Sequence, residues 1–239
     1  MNINRKTAIT VGLLYIIGTV AGILSRVYTA PILKSSDYLS QISMDPNQIV
    51  IGALFVLTMG LALAMVPVMM FPILKNYNRA LAMGYVVFRG ALEAVIYLFF
   101  VIGWLALPLI SQEYANAGAA EASYFQALGD IILKTNDQIG HVLSIVFILG
   151  ALMFYSVLYQ SKLVPRWLAG WGLLAATPYF IYGVLSLFTL PNSMGTLPEG
   201  LVIPLALQEM VLAVWLIARG FNISSPVTFG ATNMAASQA

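Results

Sequence analysis

The chain has no cysteine and only one histidine, His141. Without cysteine there is no disulfide, no thiolate metal site and no thiol nucleophile, and the redox compartment leaves no trace in the composition. A metal centre of the usual kind would need more than one imidazole, because catalytic zinc takes three protein ligands; neither a metal nor a cofactor is expected. Charge is scarce as well. Asp, Glu, Lys and Arg make up 8% of the 239 residues, against roughly 25% in an ordinary soluble domain, so the chain cannot cover a soluble surface. The net charge of +2, with no clustered basic face, excludes a nucleic-acid footprint. No Gly-rich phosphate loop or nucleophile elbow is present, and no catalytic residue is assigned.

What fills the sequence instead is apolar: 60% of residues are aliphatic or aromatic and the mean hydropathy is +0.89. A bilayer core of roughly 30 Å needs about 20 apolar helical residues, since no backbone group can stay unpaired in hydrocarbon. Six stretches qualify: Thr7–Ser25, Ile49–Leu74, Ala80–Ile110, Gln138–Tyr159, Trp167–Phe188 and Leu201–Ala218. None alternates as a barrel strand would. The expectation is therefore an all-α integral membrane bundle of about six transmembrane helices over residues 1–221. A Ser-, Thr-, Ala- and Asn-rich tail, 222–239, is too poor in apolar residues to pack and is expected to be disordered. The N-terminus starts like a secretory signal, but the run Ala8–Leu24 exceeds the usual h-region of about 7–15 residues and reads as a retained first span. Glu121–Lys134 reads either as a short amphipathic helix on the membrane surface or as a plain loop.

The connections set the orientation. Arg5, Lys6, Lys75, Arg79, Lys162, Arg166 and Arg219 fall on one side, and Arg26, Lys34 and Lys134 on the other. Cytoplasmic flanks carry the excess of Lys and Arg, so both termini are expected in the cytoplasm. Every acidic residue outside the spans lies in the opposite, outward connections.

Ionisable groups deep in a span are costly unless paired or hydrated, and mark functional sites. Three occur: Arg89 and Glu93 on the third span and Glu209, preceded by Gln208, on the sixth. Residues four apart share a helix face, so Arg89 can reach Glu93. Arg89 and Glu209 are each ten residues from a cytoplasmic arginine, Arg79 and Arg219, or about 15 Å in depth, and can meet if spans three and six pack together. One positive and two potential negative charges then require that a glutamate be protonated, hydrated or matched by a ligand. The alternative is that these groups only lock helices together. Arg26, Asp137 and His141 belong to an outer mouth; His141 has the ring that titrates near neutral pH. Gly18 and Gly22 have the small-residue spacing that lets helices approach closely, serving either packing within the chain or a homo-oligomer. Pro67, Pro72 and Pro178 are expected to kink their spans.

Asn78-Arg-Ala-Leu-Ala running into Phe88-Arg-x-x-x-Glu-Ala94 resembles the central signature of a bacterial family catalogued as domain of unknown function 4386. The turn Leu163-Val-Pro-Arg-Trp-Leu-Ala-Gly170 and the ending Leu207-Gln-Glu-Met-Val-Leu-Ala-Val-Trp-Leu216, followed by Arg219-Gly220, resemble its later landmarks. The resemblance runs from span one to Phe221. It implies a compact multi-span bundle in a bacterial cytoplasmic membrane, with Arg89, Glu93 and Glu209 at family-typical positions, and it implies no activity. The functional expectation is an outward-opening polar cavity that binds or transports a small amphipathic or cationic solute or a lipid, with Glu93 or Glu209 as counter-charge. A membrane scaffold or accessory subunit, and behind it an intramembrane enzyme using Glu93 and His141, are the alternatives.

Overall fold

The computed structural model describes residues 3–188 and 197–222; the tail expected to be disordered lies, but for its first residue, outside them. Every regular element among the described residues is helical: α1 (Ile3–Leu33), α2 (Tyr38–Met44), α3 (Pro46–Leu74), α4 (Arg79–Tyr85), a π-helical segment (Val86–Leu92), α5 (Glu93–Asn116), α6 (Ala119–Ser161), α7 (Arg166–Ser186) and α8 (Leu197–Ala218). α4, the π segment and α5 form one continuous rod, Arg79–Asn116.

Five of these rods are long and apolar enough to cross a membrane, and the apolar part of α8, Val202–Ala218, is shorter. Their outward faces are greasy. On α1, Leu13, Ile17, Val20 and Val27 are exposed at helical spacing, Val27 by 61%, and similar stripes run along the other rods. An apolar exterior of this extent is a lipid-facing surface, and the protein is a multi-pass membrane protein.

The long helices close into a ring in chain order. α1 packs on α3, α3 on α5, α5 on α6, α6 on α7, α7 on α8, and α8 returns to α1. Small residues permit the close approaches that hold helices together where lipid competes for apolar contacts. The face of α1 bearing Gly18 and Gly22 is turned to α3, where added β-carbons would stand 2.8 Å from Leu63 and 2.7 Å from Met59. Further along the same seam the Ser25 hydroxyl donates to the Gly52 carbonyl at 3.0 Å.

Local chemistry explains the helix ends. The Asn78 side chain caps α4 by accepting from the Leu81 N–H at 3.0 Å, supplying an acceptor to one of the four orphan donors of a helix start. α8 ends on Gly220, whose φ of +74° suits glycine. The carbonyls left over there are taken by Arg5, which donates to Leu216 at 3.1 Å, Ile217 at 2.5 Å and Ala218 at 3.3 Å. The first helix thus caps the last, a cation at a helix C-terminus.

Two expectations are corrected. The segment Glu121–Lys134 is neither a loop nor a separate surface helix: it is the first half of α6, which runs 43 residues without interruption. Between Ala119 and Ser161 there is no proline to break it, and at 1.5 Å per residue it reaches about 64 Å, roughly twice a hydrocarbon core. The first span extends to Leu33, continuing through Arg26 and Pro31. The connection after it folds into α2, whose Tyr38, Leu39 and Ile42 are buried against Ile32, Ile49 and Leu107; Tyr38 also donates to Asp130 of α6 at 2.9 Å. α3 and α7 run through Pro67, Pro72 and Pro178 as continuous helices.

Arg5→Ala removes three hydrogen bonds at the seam that closes the ring. We expect a loss of about 1–2 kcal/mol, read as a lowered Tm in detergent; an unchanged Tm would mean that water caps α8 equally well.

Candidate functional site

Arg89 lies at the middle of the π segment and is 1% exposed. Turns of this kind are rare, and they recur at functional sites. Its Nη1 donates to Glu93 Oε1 at 3.1 Å and lies equally close, 3.1 Å, to Oε2. Its Nη2 donates to Glu209 Oε1 at 3.1 Å. The guanidinium plane stands over the Phe147 ring of α6, 4.2 Å from its centroid, a cation–π contact.

Spans three and six need not pack to make this contact. α8 packs chiefly on α1 and α7, and Arg89 and Glu209 meet by reaching across the interior of the ring. Gly150 of α6 makes room for the arginine stem: a methyl group there would stand 2.5 Å from Arg89 Cγ and 3.1 Å from its backbone nitrogen.

The two sides of this cluster differ. Toward the termini it is sealed by buried aromatics. Tyr15 and Tyr85 share a hydrogen bond at 3.3 Å, Tyr85 stacks on Phe154 with centroids 4.5 Å apart, and Tyr155 donates to Gln208 Oε1 at 2.6 Å. Gln208 Nε2 donates in turn to the Leu168 carbonyl at 3.0 Å, so this glutamine ties α6, α7 and α8 together with both ends of its amide used. All four of these aromatic rings are at most 1% exposed.

On the other side the groups carry hydroxyls: the phenols of Tyr97 and Tyr179 are half-buried, and Ser144 is buried. Tyr97, one turn beyond Glu93, stands beside its carboxylate. Tyr97 is within electrostatic range of Tyr179 on α7, and Tyr179 of both Glu93 and Arg26. The Ser144 hydroxyl donates to the Gly140 carbonyl at 3.0 Å, which leaves its oxygen to accept from the Tyr179 phenol, also at 3.0 Å. Farther out, the His141 ring meets Tyr182 edge-on at 6.3 Å, and Asp137 is within range of His141. Arg26 borders a shallow surface groove on α1 with Lys34 and Ser35. Tyr179 is thus the residue in range of both Arg26 and the buried cluster.

Glu93 Oε2 is buried without a hydrogen-bond partner. The N–H of Nη1 is directed at Oε1, Oε2 has only its ion-pair contact with the same nitrogen, and the Tyr97 phenol stands beside the carboxylate. Among the described residues no three of His, Asp and Glu converge on a point, and the cluster supplies two carboxylates and a cation.

The tyrosines escaped the sequence reading. Tyr15, Tyr85, Tyr97, Tyr155 and Tyr179 sit within the long helical rods. That position was the available signal, because a phenol buried in hydrocarbon needs a polar partner.

Truncation separates the charges energetically. Arg89→Met leaves two buried carboxylates without a cation and is expected to cost about 3–5 kcal/mol, whereas the triple variant Arg89→Met, Glu93→Gln, Glu209→Gln recovers most of that loss. Chemical denaturation in detergent reads both; a triple variant no more stable than Arg89→Met would show that the ionic contacts matter less than the volume of the arginine.

No curated protein matches this chain at a significant level, and no solved structure does. A family model described as "Domain of unknown function (DUF4386)" matches residues 10–220. That stretch runs from the first helix to the glycine that ends the last and includes Arg89, Glu93 and Glu209. The chain belongs to the DUF4386 family.

Proposed function

We propose that the protein binds a small amphipathic or cationic solute, or a lipid, in an interior that opens away from its termini, with Arg89, Glu93 and Glu209 as the charges that recognise it. The observation that supports this reading is the asymmetry around the cluster: packed aromatics at most 1% exposed on one side, and half-buried phenols, Ser144 and the Arg26 end on the other. The two carboxylates outnumber the single guanidinium, which suits a cationic ligand. Transport across the membrane is the extension of such binding. In this reading residues 1–221 form one six-span domain, α8 included, in a bacterial cytoplasmic membrane with both termini inside, as the seven basic residues on the terminal side favour.

A second reading, a scaffold or accessory subunit, is favoured by the direct 3.1 Å contacts of Arg89 and by the 1% exposure of Arg89 and Glu93. Buried polar contacts of this kind also serve as glue between spans.

A thermal-shift panel on detergent-purified protein distinguishes the two. At least one cationic amphiphile is expected to raise the Tm of wild type, and the rise is expected to vanish in Glu93→Gln. If no compound of any charge shifts wild type while Glu93→Gln, Glu209→Gln and Arg89→Met are all strongly destabilised, the binding reading is wrong and the scaffold stands.

Orientation is tested separately, helped by the absence of native cysteine. In intact cells Ser36→Cys is expected to react with a membrane-impermeant maleimide and Asn76→Cys only after permeabilisation. The reverse pattern would put the termini outside.

A further inference from the structure

The cluster contains one acid more than it has base, and Glu93 is 1% exposed. An uncompensated ion at that depth neutralises rather than stays charged. The partner that can join a closed carboxylate without displacing any side chain is a proton. We infer that a proton is a second, exchangeable ligand of this site, held on Glu93 Oε2 and exchanged with the side away from the termini by way of Tyr97, Tyr179 and Ser144. The inference rests on the outward-opening reading above and narrows it to one residue and one route.

Three features choose Glu93 over Glu209. Its Oε2 is the oxygen that accepts no hydrogen bond, its 3.1 Å contact with Arg89 Nη1 being an ion pair alone, and a proton there gives it a hydrogen to donate to the Tyr97 phenol beside it. Arg89 directs one N–H to each carboxylate, at Glu93 Oε1 and Glu209 Oε1, so Oε2 can be protonated without breaking either bond. Tyr97, the first of the hydroxyls leading outward, stands directly beside the Glu93 carboxylate, one helical turn along the same rod.

Several elements surround Glu93. The π segment contributes Arg89, α5 Tyr97, α8 Glu209, α7 Tyr179 through Tyr97, and α4 Tyr85. α3 has no ionisable side chain between Pro46 and Leu74. On α6, Phe147 and Ser144 face this region, and Asp137 and His141 lie farther out. In the step itself an O–H bond of hydronium at the outer surface breaks and one at Oε2 forms. The phenols and the Ser144 hydroxyl each accept one proton and pass on another.

Infrared difference spectroscopy on the reconstituted full-length protein tests this. Wild type at neutral pH should show a protonated-carboxyl C=O band that is absent in Glu93→Gln and is moved by Tyr97→Phe. Deuterium exchange at that band should slow about tenfold or more in Tyr179→Phe, the loss of one relay hydroxyl, and stay unchanged in Tyr85→Phe on the sealed side. A band that is missing in wild type, survives Glu93→Gln or ignores Tyr97→Phe overturns the assignment to Glu93. Exchange slowed by Tyr85→Phe and not by Tyr179→Phe overturns the route. If the band behaves as expected while no compound shifts the Tm, the solute reading falls and the proton site remains.

Discussion

The interior is organised around one guanidinium held by two carboxylates. An arginine cannot shed its proton, so wherever the chain buries Arg89 it must also bury an anion, and the 3.1 Å contacts to Glu93 and Glu209 meet that demand from two different helices. The neighbouring walls are shaped by the same side chain. α6 presents Gly150 to its stem and Phe147 to its flat face, and the helix that carries it takes up a π turn there.

Around that centre the usual polarity of a protein is inverted. Lipid removes most of the reason for apolar groups to hide, so Val27 and its neighbours face outward while tyrosine, glutamine, arginine and glutamate turn inward. What then holds the helices is close approach and hydrogen bonding: Gly18 on Leu63, Ser25 on the Gly52 carbonyl, Gln208 between Tyr155 and the Leu168 carbonyl. The ring depends on its last seam as much as on its first, and Arg5 on the carbonyl end of α8 joins the two ends of the chain.

The helical, membrane-embedded character was legible from hydropathy, because spanning a bilayer requires a length and an apolarity that few other structures share. The Arg89–Glu93 contact followed from helical spacing, and its meeting with Glu209 from equal depth. The neighbours of α8 did not follow: depth says nothing about which helices are adjacent, and a long side chain can cross between helices that barely touch. The π turn left no mark in Val86–Leu92, since it depends on packing against α3 and α6 rather than on propensity. The first half of α6 differs from the expectation because its moderate polarity resembles a surface segment, whereas polarity alone does not end a helix. Gly18 and Gly22 were ambiguous because a small-residue face serves equally well toward a neighbouring span or a second copy.

The composition of the cluster also bears on what it is for. A lock between two helices is complete with one cation and one anion. A matched pair already answers the demand of Arg89, and replacing even that pair by apolar residues is often neutral or stabilising. The second carboxylate adds burial cost without being needed to hold α8 to the π segment. It is also the glutamate with a buried oxygen that accepts no hydrogen bond, on the side where Tyr179 and Ser144 share one. A purely mechanical role is already met by the contact between Arg89 and Glu209; the proposed uptake of a positive charge would give Glu93 a role of its own.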